Sequence, residues 1–499
     1  MENEFDVVVV GAGISGIGAG AHLNLKCPDQ SYVILEGREK FGGTWDLFKY
    51  PGIRSDSDMH TLGYSFKPWV HKKSIANAPA IMEYLEETID EYELHQHIRY
   101  NHHVETANWC PKEGKWIVSV TDKVNNKEIT FKGKLLYMCS GYYKYAHGYE
   151  PEFEGSENFE GQIIHPQKWS EDVEYENKEV VVIGSGATAA TLVPELAKKT
   201  KHTTMLQRSP TYFVSAPDED YLANNLRRFI PDRLAYLLIR IRNISWQRFF
   251  FKRARAYPEQ VKERILNMIK EELPEDIVNE HFTPSYNPWD QRICLIPNSD
   301  FFESIKAKTS SVVTDHIEKI EEKGIRLKSG KFLPADLIVT ATGLILESFG
   351  GVKMSVDDKP IEASDTYTYR SLMYSGIPNL VSCFGYINAS WTLRADLIAT
   401  WVCRLLNHMR TTEKTVATPR IEETLAAGMR RRLWIDDFSA GYMRRMLDRF
   451  PRQGDEMPWM NPQDYRKDRK MFRDEPIDDG ALSLETASVD EPTPLREAV

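Results

Sequence analysis

Phe5-Asp-Val-Val-Val-Val10-Gly11-Ala-Gly13-Ile-Ser15-Gly16-Ile-Gly-Ala-Gly-Ala-His-Leu23 decides the fold. Phe5 to Val10 is a short, β-branched run that reads as a buried strand, and Ile17 to Leu25 reads as a helix. Between them each glycine has a separate task. Gly11 permits the tight turn, Gly13 lets the backbone approach a pyrophosphate, and Gly16 lets helix and strand pack closely. The free N–H groups at the helix start then bind the diphosphate. A second strand, Tyr32 to Leu35, ends in Glu36, which is placed to accept hydrogen bonds from an adenosine ribose.

The same grammar recurs. Glu179 to Ile183 is an apolar strand, followed by Gly184-Ser185-Gly186-Ala187-Thr188-Ala189, with Ala tolerated in the third position. The next strand, Thr203 to Leu206, ends in Gln207-Arg208-Ser209 rather than in an acid, and Gln207 and Arg208 are both expected at the nucleotide. An acid there would repel a 2′-phosphate, whereas Arg208 can pair with it, so the second site reads as one for NADPH. The predicted fold is α/β, with two Rossmann-like dinucleotide-binding domains and a helical insertion in the second.

Composition limits the alternatives. At 499 residues the chain is too long for one core, and 41% hydrophobic with 27% charged residues is a globular balance. Much of the net charge of -10 is local: residues 474–499 carry eight acids against Arg496 alone, which leaves about -3 elsewhere and no reason to expect a nucleic-acid partner. Six scattered cysteines encode neither a zinc site nor a redox CxxC and fit free thiols in a reducing cytosol. His95, His97, His102 and His103 lack a completing ligand pattern, so no metal site is expected. Glu2, Glu4 and Asp6 stand where a signal peptide needs a basic segment, and no apolar run is long enough to span a bilayer.

Gly42-Gly43-Thr44-Trp45-Asp46-Leu47 continues to Tyr50-Pro51-Gly52-Ile-Arg54-Ser55-Asp56, a GGxWxxxxYPGxxxD pattern. Between the two glycine turns lies Phe159-Glu-Gly161-Gln-Ile-Ile-His165-Pro-Gln-Lys-Trp169, an FxGxxxHxxxW pattern. Both resemble the Baeyer-Villiger monooxygenases, two-dinucleotide flavoenzymes. With Tyr286-Asn-Pro-Trp289-Asp-Gln291-Arg292, the similarity is nearest to the ethionamide-activating flavin monooxygenases of mycobacteria and runs through most of the chain. The resemblance implies FAD in the first site, NADPH in the second, a hydride relay from nicotinamide to flavin, and oxidation by O2 through a C4a-peroxyflavin. Ketones would become esters or lactones, with sulfides and thioamides as further substrates. It also implies that Arg292 is the active-site arginine, that Asp56 holds it, and that Arg54, Ser55, Asp56 and Val104 join Gly43 to Leu47 around the flavin. A permanently cationic guanidinium stabilises developing negative charge without supplying a proton. Two departures stand out. Ser170 follows the tryptophan where the pattern usually has Pro or Asp, and Gln291 replaces a lysine that aids 2′-phosphate recognition. Trp45 stands where a disulfide reductase would soon show a cysteine pair, so the flavin's electrons must leave by another route.

From about 218 to 282 the period turns helical. Leu226, Ile230, Leu234, Leu237, Ile241 and Ile244 recur three or four residues apart among many arginines. Such an insertion fits a cap with solvated charges or, through its basic aromatic helix, peripheral contact with an anionic membrane by an otherwise cytoplasmic protein. Strands are expected at Val312 to Ile317, Gly324 to Leu327 and Ala335 to Val339, the last running into Thr340-Ala-Thr342-Gly343. Ser390 or Thr392 could cap an apolar helix, Ala395 to Leu406. The expected division is 1–145 and 344–473 for the FAD-binding domain, 146–343 for the NADP-binding domain, and 474–499 as a flexible acidic tail. Two other readings remain open: a nitrogen- or sulfur-oxidising flavin monooxygenase without useful ketone activity, and a non-catalytic flavin-binding redox sensor.

Overall fold

The computed structural model describes residues 3–436 and 438–487. Its first sheet has a parallel core in the spatial order Ile98–Arg99, Tyr32–Leu35, Glu4–Val10, Lys127–Met138, Leu380–Ser382. Val7 to Val10 are buried, as a parallel strand covered on both faces requires. Lys127–Met138 also closes an antiparallel meander with Lys115–Asp122 and His102–Cys110. Because Leu380–Ser382 pairs beside Leu136 to Met138, the chain leaves this sheet and returns to it.

The excursion builds a second, all-parallel sheet in the order Ser310–Thr314, His202–Gln207, Glu179–Ile183, Leu337–Thr340, Gln162–Ile164. Here the FxGxxxHxxxW segment supplies the edge strand Gln162–Ile164, so part of it belongs to this sheet. The strand expected over Val312 to Ile317 divides in two: Ser310–Thr314 joins the parallel sheet, and Ile317–Glu321 begins an antiparallel trio with Gly324–Leu327 and Phe332–Pro334. Both glycine turns lead directly into helices, Ile14–Lys26 and Ala187–Leu196. The first helix begins three residues earlier than the sequence suggests, because Gly13 already occupies its N-cap position.

Three expectations change. The insertion helix, Asp232–Ala256, turns Leu234, Leu237 and Ile241 outward and buries Tyr236, Ile239 and Arg240. Arg240 is therefore not a solvated charge. It donates to the carbonyls of His60 (2.8 Å) and Gly63 (2.7 Å) and pairs with buried Asp396 at 3.3 Å, which anchors the insertion on the first domain. The late apolar helix runs over Trp391–Thr411, and neither expected side chain caps it: Ser390 Oγ bonds Thr61 Oγ1 at 2.6 Å, and Thr392 Oγ1 is buried with no partner among the described residues. The stretch after Arg473 is not a free tail as far as residue 487. Leu482–Glu485 pairs antiparallel with Val416–Pro419, and Asp479 reaches buried Arg370 at 2.8 Å; charge neutralisation and burial of Ile477 and Leu482 hold it down. The rest of that stretch, 488–499, lies outside the described residues. No described helix is long and apolar enough to cross a membrane.

Candidate active site

The first glycine turn and the helix start that follows the second open on one cavity of about 610 Å3, which Gly184, Ser185, Gly186 and Ala189 do not line. Gly11, Gly13, Ser15, Glu36, Gly43, Thr44, Trp45, Arg54, Ser55, Asp56 and Val104 line it from the first domain, and Ala187, Thr188 and Arg292 from the second. Gly16 does its work behind the wall: a Cβ there would lie 1.8 Å from the Gly11 carbonyl oxygen, so helix and turn meet only through glycine. Gly13 and Gly43 form a floor of bare backbone, since a Cβ on Gly43 would come within 3.1 Å of the Gly13 Cα. Glu36 also closes the turn, accepting from the N–H groups of Ala12 (2.8 Å) and Arg38 (3.0 Å). Burial raises its carboxyl pKa, and those N–H groups oppose the rise. Asp46 and Leu47 do not reach the cavity; Asp46 instead fixes Arg38 at 2.6 Å, and the buried Nη1 of Arg38 has no partner among the described residues. A bare floor beside a guanidinium with one unpartnered N–H group suits a diphosphate group, so these residues fit a bound dinucleotide.

At the second turn Gly184 has φ +134°, and its Cβ would strike the Ala341 carbonyl oxygen at 2.3 Å. Nothing lies within 4 Å of a Cβ on Gly186, so the mouth of the Ala187–Leu196 helix is open to a pyrophosphate. Ser185 Oγ bonds Thr211 Oγ1 at 2.9 Å, and Ala189 is buried against the sheet. Arg208 is exposed, free to meet a phosphate. Gln207, expected to face the nucleotide, does not. It is 1% exposed, and its amide donates to the His281 carbonyl (2.7 Å) and Thr314 Oγ1 (2.9 Å), bracing the strand end.

Where the domains meet, Arg292 Nη2 lies 2.8 Å from Asp56 Oδ2. The two come from different nucleotide folds: Asp56 follows the YPG segment, and Arg292 leads into the strand Cys294–Pro297. Asp56 raises the guanidinium pKa further, against the opposing effect of burial, so the charge is permanent. Around the pair stands an aromatic wall that no sequence motif announces. Tyr142 stacks on Trp391, with ring centroids 5.1 Å apart at 11°, and its hydroxyl bonds that of Tyr143 at 2.5 Å. Burial raises both phenol pKa values, and it pushes the Cys294 thiol up to about 12. These groups stay protonated and neutral. The tyrosines directly follow Ser140-Gly141 at the end of the Lys127–Met138 strand, the position where a parallel sheet presents its binding residues; that is the signal that could have found them.

His165 has both ring nitrogens engaged. Its Nδ1 accepts from the Gln167 N–H (3.1 Å), and its Nε2 bonds the Gly343 carbonyl (3.1 Å), tying the FxGxxxHxxxW segment to Thr340-Ala-Thr342-Gly343. Burial lowers its pKa, which suits a neutral ring. Trp169 is buried against Tyr175, ring centroids 5.9 Å apart. Of the histidine cluster, His95 bonds Asp90 (2.7 Å), His97 stacks on Tyr32, and His102 and His103 border the cavity.

Two parallel nucleotide folds opening on one cavity, with a permanent cation at their junction, define a flavin- and nicotinamide-dependent oxidoreductase. A family model described as flavin-binding monooxygenase-like matches residues 64–250, and one described as an NAD(P)-binding Rossmann-like domain matches residues 9–72. FAD-containing monooxygenase EthA of Mycobacterium tuberculosis is 47% identical over 484 residues, spanning 97% of this chain and 98% of its own. Probable FAD-binding monooxygenase AlmA of an Acinetobacter species is 45% identical over 491 residues, spanning 97% of each. The chain belongs to the FAD-containing monooxygenase family and is a flavin monooxygenase. An oxidized steroid monooxygenase bound to NADP shares its fold, with a TM-score of 0.78 at 21% identity over 97% of this chain and 100% of that one.

Proposed function

We propose that the enzyme uses NADPH and O2 to convert ketones into esters or lactones, one oxygen atom entering the product and the other leaving as water, with sulfides and thioamides as a second substrate class. The observation that carries this reading is the Arg292–Asp56 pair, 2.8 Å apart on the wall of the shared cavity. Gly11, Gly13, Ser15, Gly16, Glu36 and the Gly43 to Trp45 segment would hold FAD; the Gly184 to Ala189 turn and Arg208 would hold NADPH. Bound FAD supplies the redox chemistry, taking electrons from NADPH and delivering them to O2.

The chain's own part is binding, orientation and electrostatics. Asp56 fixes the direction of the Arg292 guanidinium, which faces the cavity as a charge that cannot lose its proton. When a carbonyl is attacked, negative charge grows on its oxygen, and a fixed cation lowers that barrier without reorganisation. Tyr142, Tyr143 and Trp391 exclude water and offer apolar ring surface to the substrate. Incubation of a panel of ketones with enzyme, NADPH and air, followed by gas chromatography, tests the reading. Ester formation supports it. Sulfoxide from a sulfide with no ester from any ketone would replace it with the sulfur-oxidising alternative.

A further inference from the structure

The insertion helix presents solvent with a face that a soluble protein has reason to hide. Leu234, Leu237, Leu238, Ile241, Trp246 and Phe249 are all exposed, Ile241 by 54% and Trp246 by 61%. Phe229, just before the helix, is 84% exposed. At 100° per residue Leu234, Leu238, Ile241 and Phe249 share one side. The orientation is fixed by the opposite side, where buried Arg240 is committed to Asp396 and to the His60 and Gly63 carbonyls. Rolling the helix to hide the leucines would strip these bonds from a buried cation. Among the described residues nothing covers the stripe.

Arginines outnumber acids beside the stripe, where Asp232 is the exposed acid of the helix's first turn. Arg228 and Arg233 are exposed and have no ion pair among the described residues, and Arg253 is engaged only with neutral Gln260 and Tyr257. We propose that this face is a docking surface for an anionic phospholipid bilayer: the leucines, Trp246 and Phe249 enter the headgroup boundary while the flanking arginines meet lipid phosphates. A second copy of the chain is the poorer occupant. A twofold contact would set this patch against itself, bringing its excess positive charge against like charge. The chain as a whole carries a net charge of -10, so an anionic surface favours approach through this basic patch and thereby orients the enzyme.

The test is sedimentation of the full-length holoenzyme with vesicles of phosphatidylglycerol and phosphatidylcholine, with phosphatidylcholine vesicles as control. Preferential binding to the anionic vesicles is expected, weakened at least tenfold in a Leu237→Asp/Ile241→Asp double variant and again in Arg228→Glu/Arg233→Glu. Both variants should keep the far-UV spectrum, flavin content and solution turnover of the parent, since none of these residues borders the cavity. Absence of binding at every lipid composition would overturn the proposal, as would binding unchanged in both variants. So would self-association of the parent that the Leu237→Asp/Ile241→Asp change abolishes while vesicles remain unbound. Vesicle binding is read without turnover, so its failure would leave the oxygenase reading intact.

Discussion

Replacing Arg292 by Ala should separate two properties that a structural arginine would lose together. Arg292 is 31% and Asp56 37% exposed at the side chain, so the pair sits partly in solvent. Ion pairs of that exposure contribute roughly 0–1 kcal/mol to stability, which for a domain of this size is at most a few degrees in Tm. The cost to chemistry should be far larger. A preorganised group that stabilises charge only in the transition state contributes about 2.7–4 kcal/mol, so ester formation should fall by roughly 10²–10³-fold. Anaerobic stopped-flow bleaching of the flavin by NADPH should change little, because the hydride transfer precedes the step that needs the cation. Arg292→Lys should recover part of the loss, since charge returns but the fork that serves Asp56 and the cavity at once does not. Flavin reduction slowed as much as ester formation, or ester formation left intact, would refute the assigned role.

Two glycines give opposite outcomes for the same added methyl. Gly186→Ala should fold normally, because nothing lies within 4 Å of the new Cβ, yet raise the KM for NADPH several-fold; Gly16→Ala, whose Cβ would sit 1.8 Å from a carbonyl oxygen, should yield protein that is poorly folded or lacks flavin, as flavin absorbance and thermal melts will show. Arg208→Ala should weaken NADPH by tenfold or more in kcat/KM and leave NADH nearly unaffected, since the lost partner is the 2′-phosphate. Arg240→Met would leave buried Asp396 with only His22 at 3.3 Å and the Ser65 N–H at 2.7 Å, costing about 3 kcal/mol in chemical denaturation; an unchanged midpoint would show that the anchor is not needed.

The nucleotide folds were legible because their signals are local. A β-branched run, a glycine turn and a helix lie within some twenty residues, and no distant contact is needed to read them. The Arg292–Asp56 pair, by contrast, was legible only by resemblance: 236 positions separate its members, and no periodicity joins them. Other features depend on tertiary choices that sequence leaves open. The helical period correctly placed Leu234, Leu237 and Ile241 on one face, but period does not say which way a face turns, and buried Arg240 reverses the usual sense. Gln207 reads as a ligand by position, yet the carbonyl of His281 claims its amide. The acidic stretch beyond Arg473 looks unstructured because the cation that holds Asp479, Arg370, lies more than a hundred residues away. Tyr142 and Tyr143 were missed because ordinary aromatic residues become a site only when a sheet end and a helix start converge on them.

Oxygen-18 gas supplies the most direct measurement of the central claim. With NADPH and a simple ketone, mass spectrometry should find an ester carrying one labelled oxygen atom, formed in near-equal amount to the NADPH consumed. NADPH oxidation that yields only hydrogen peroxide, with every ketone in the panel recovered unlabelled and unchanged, would contradict it.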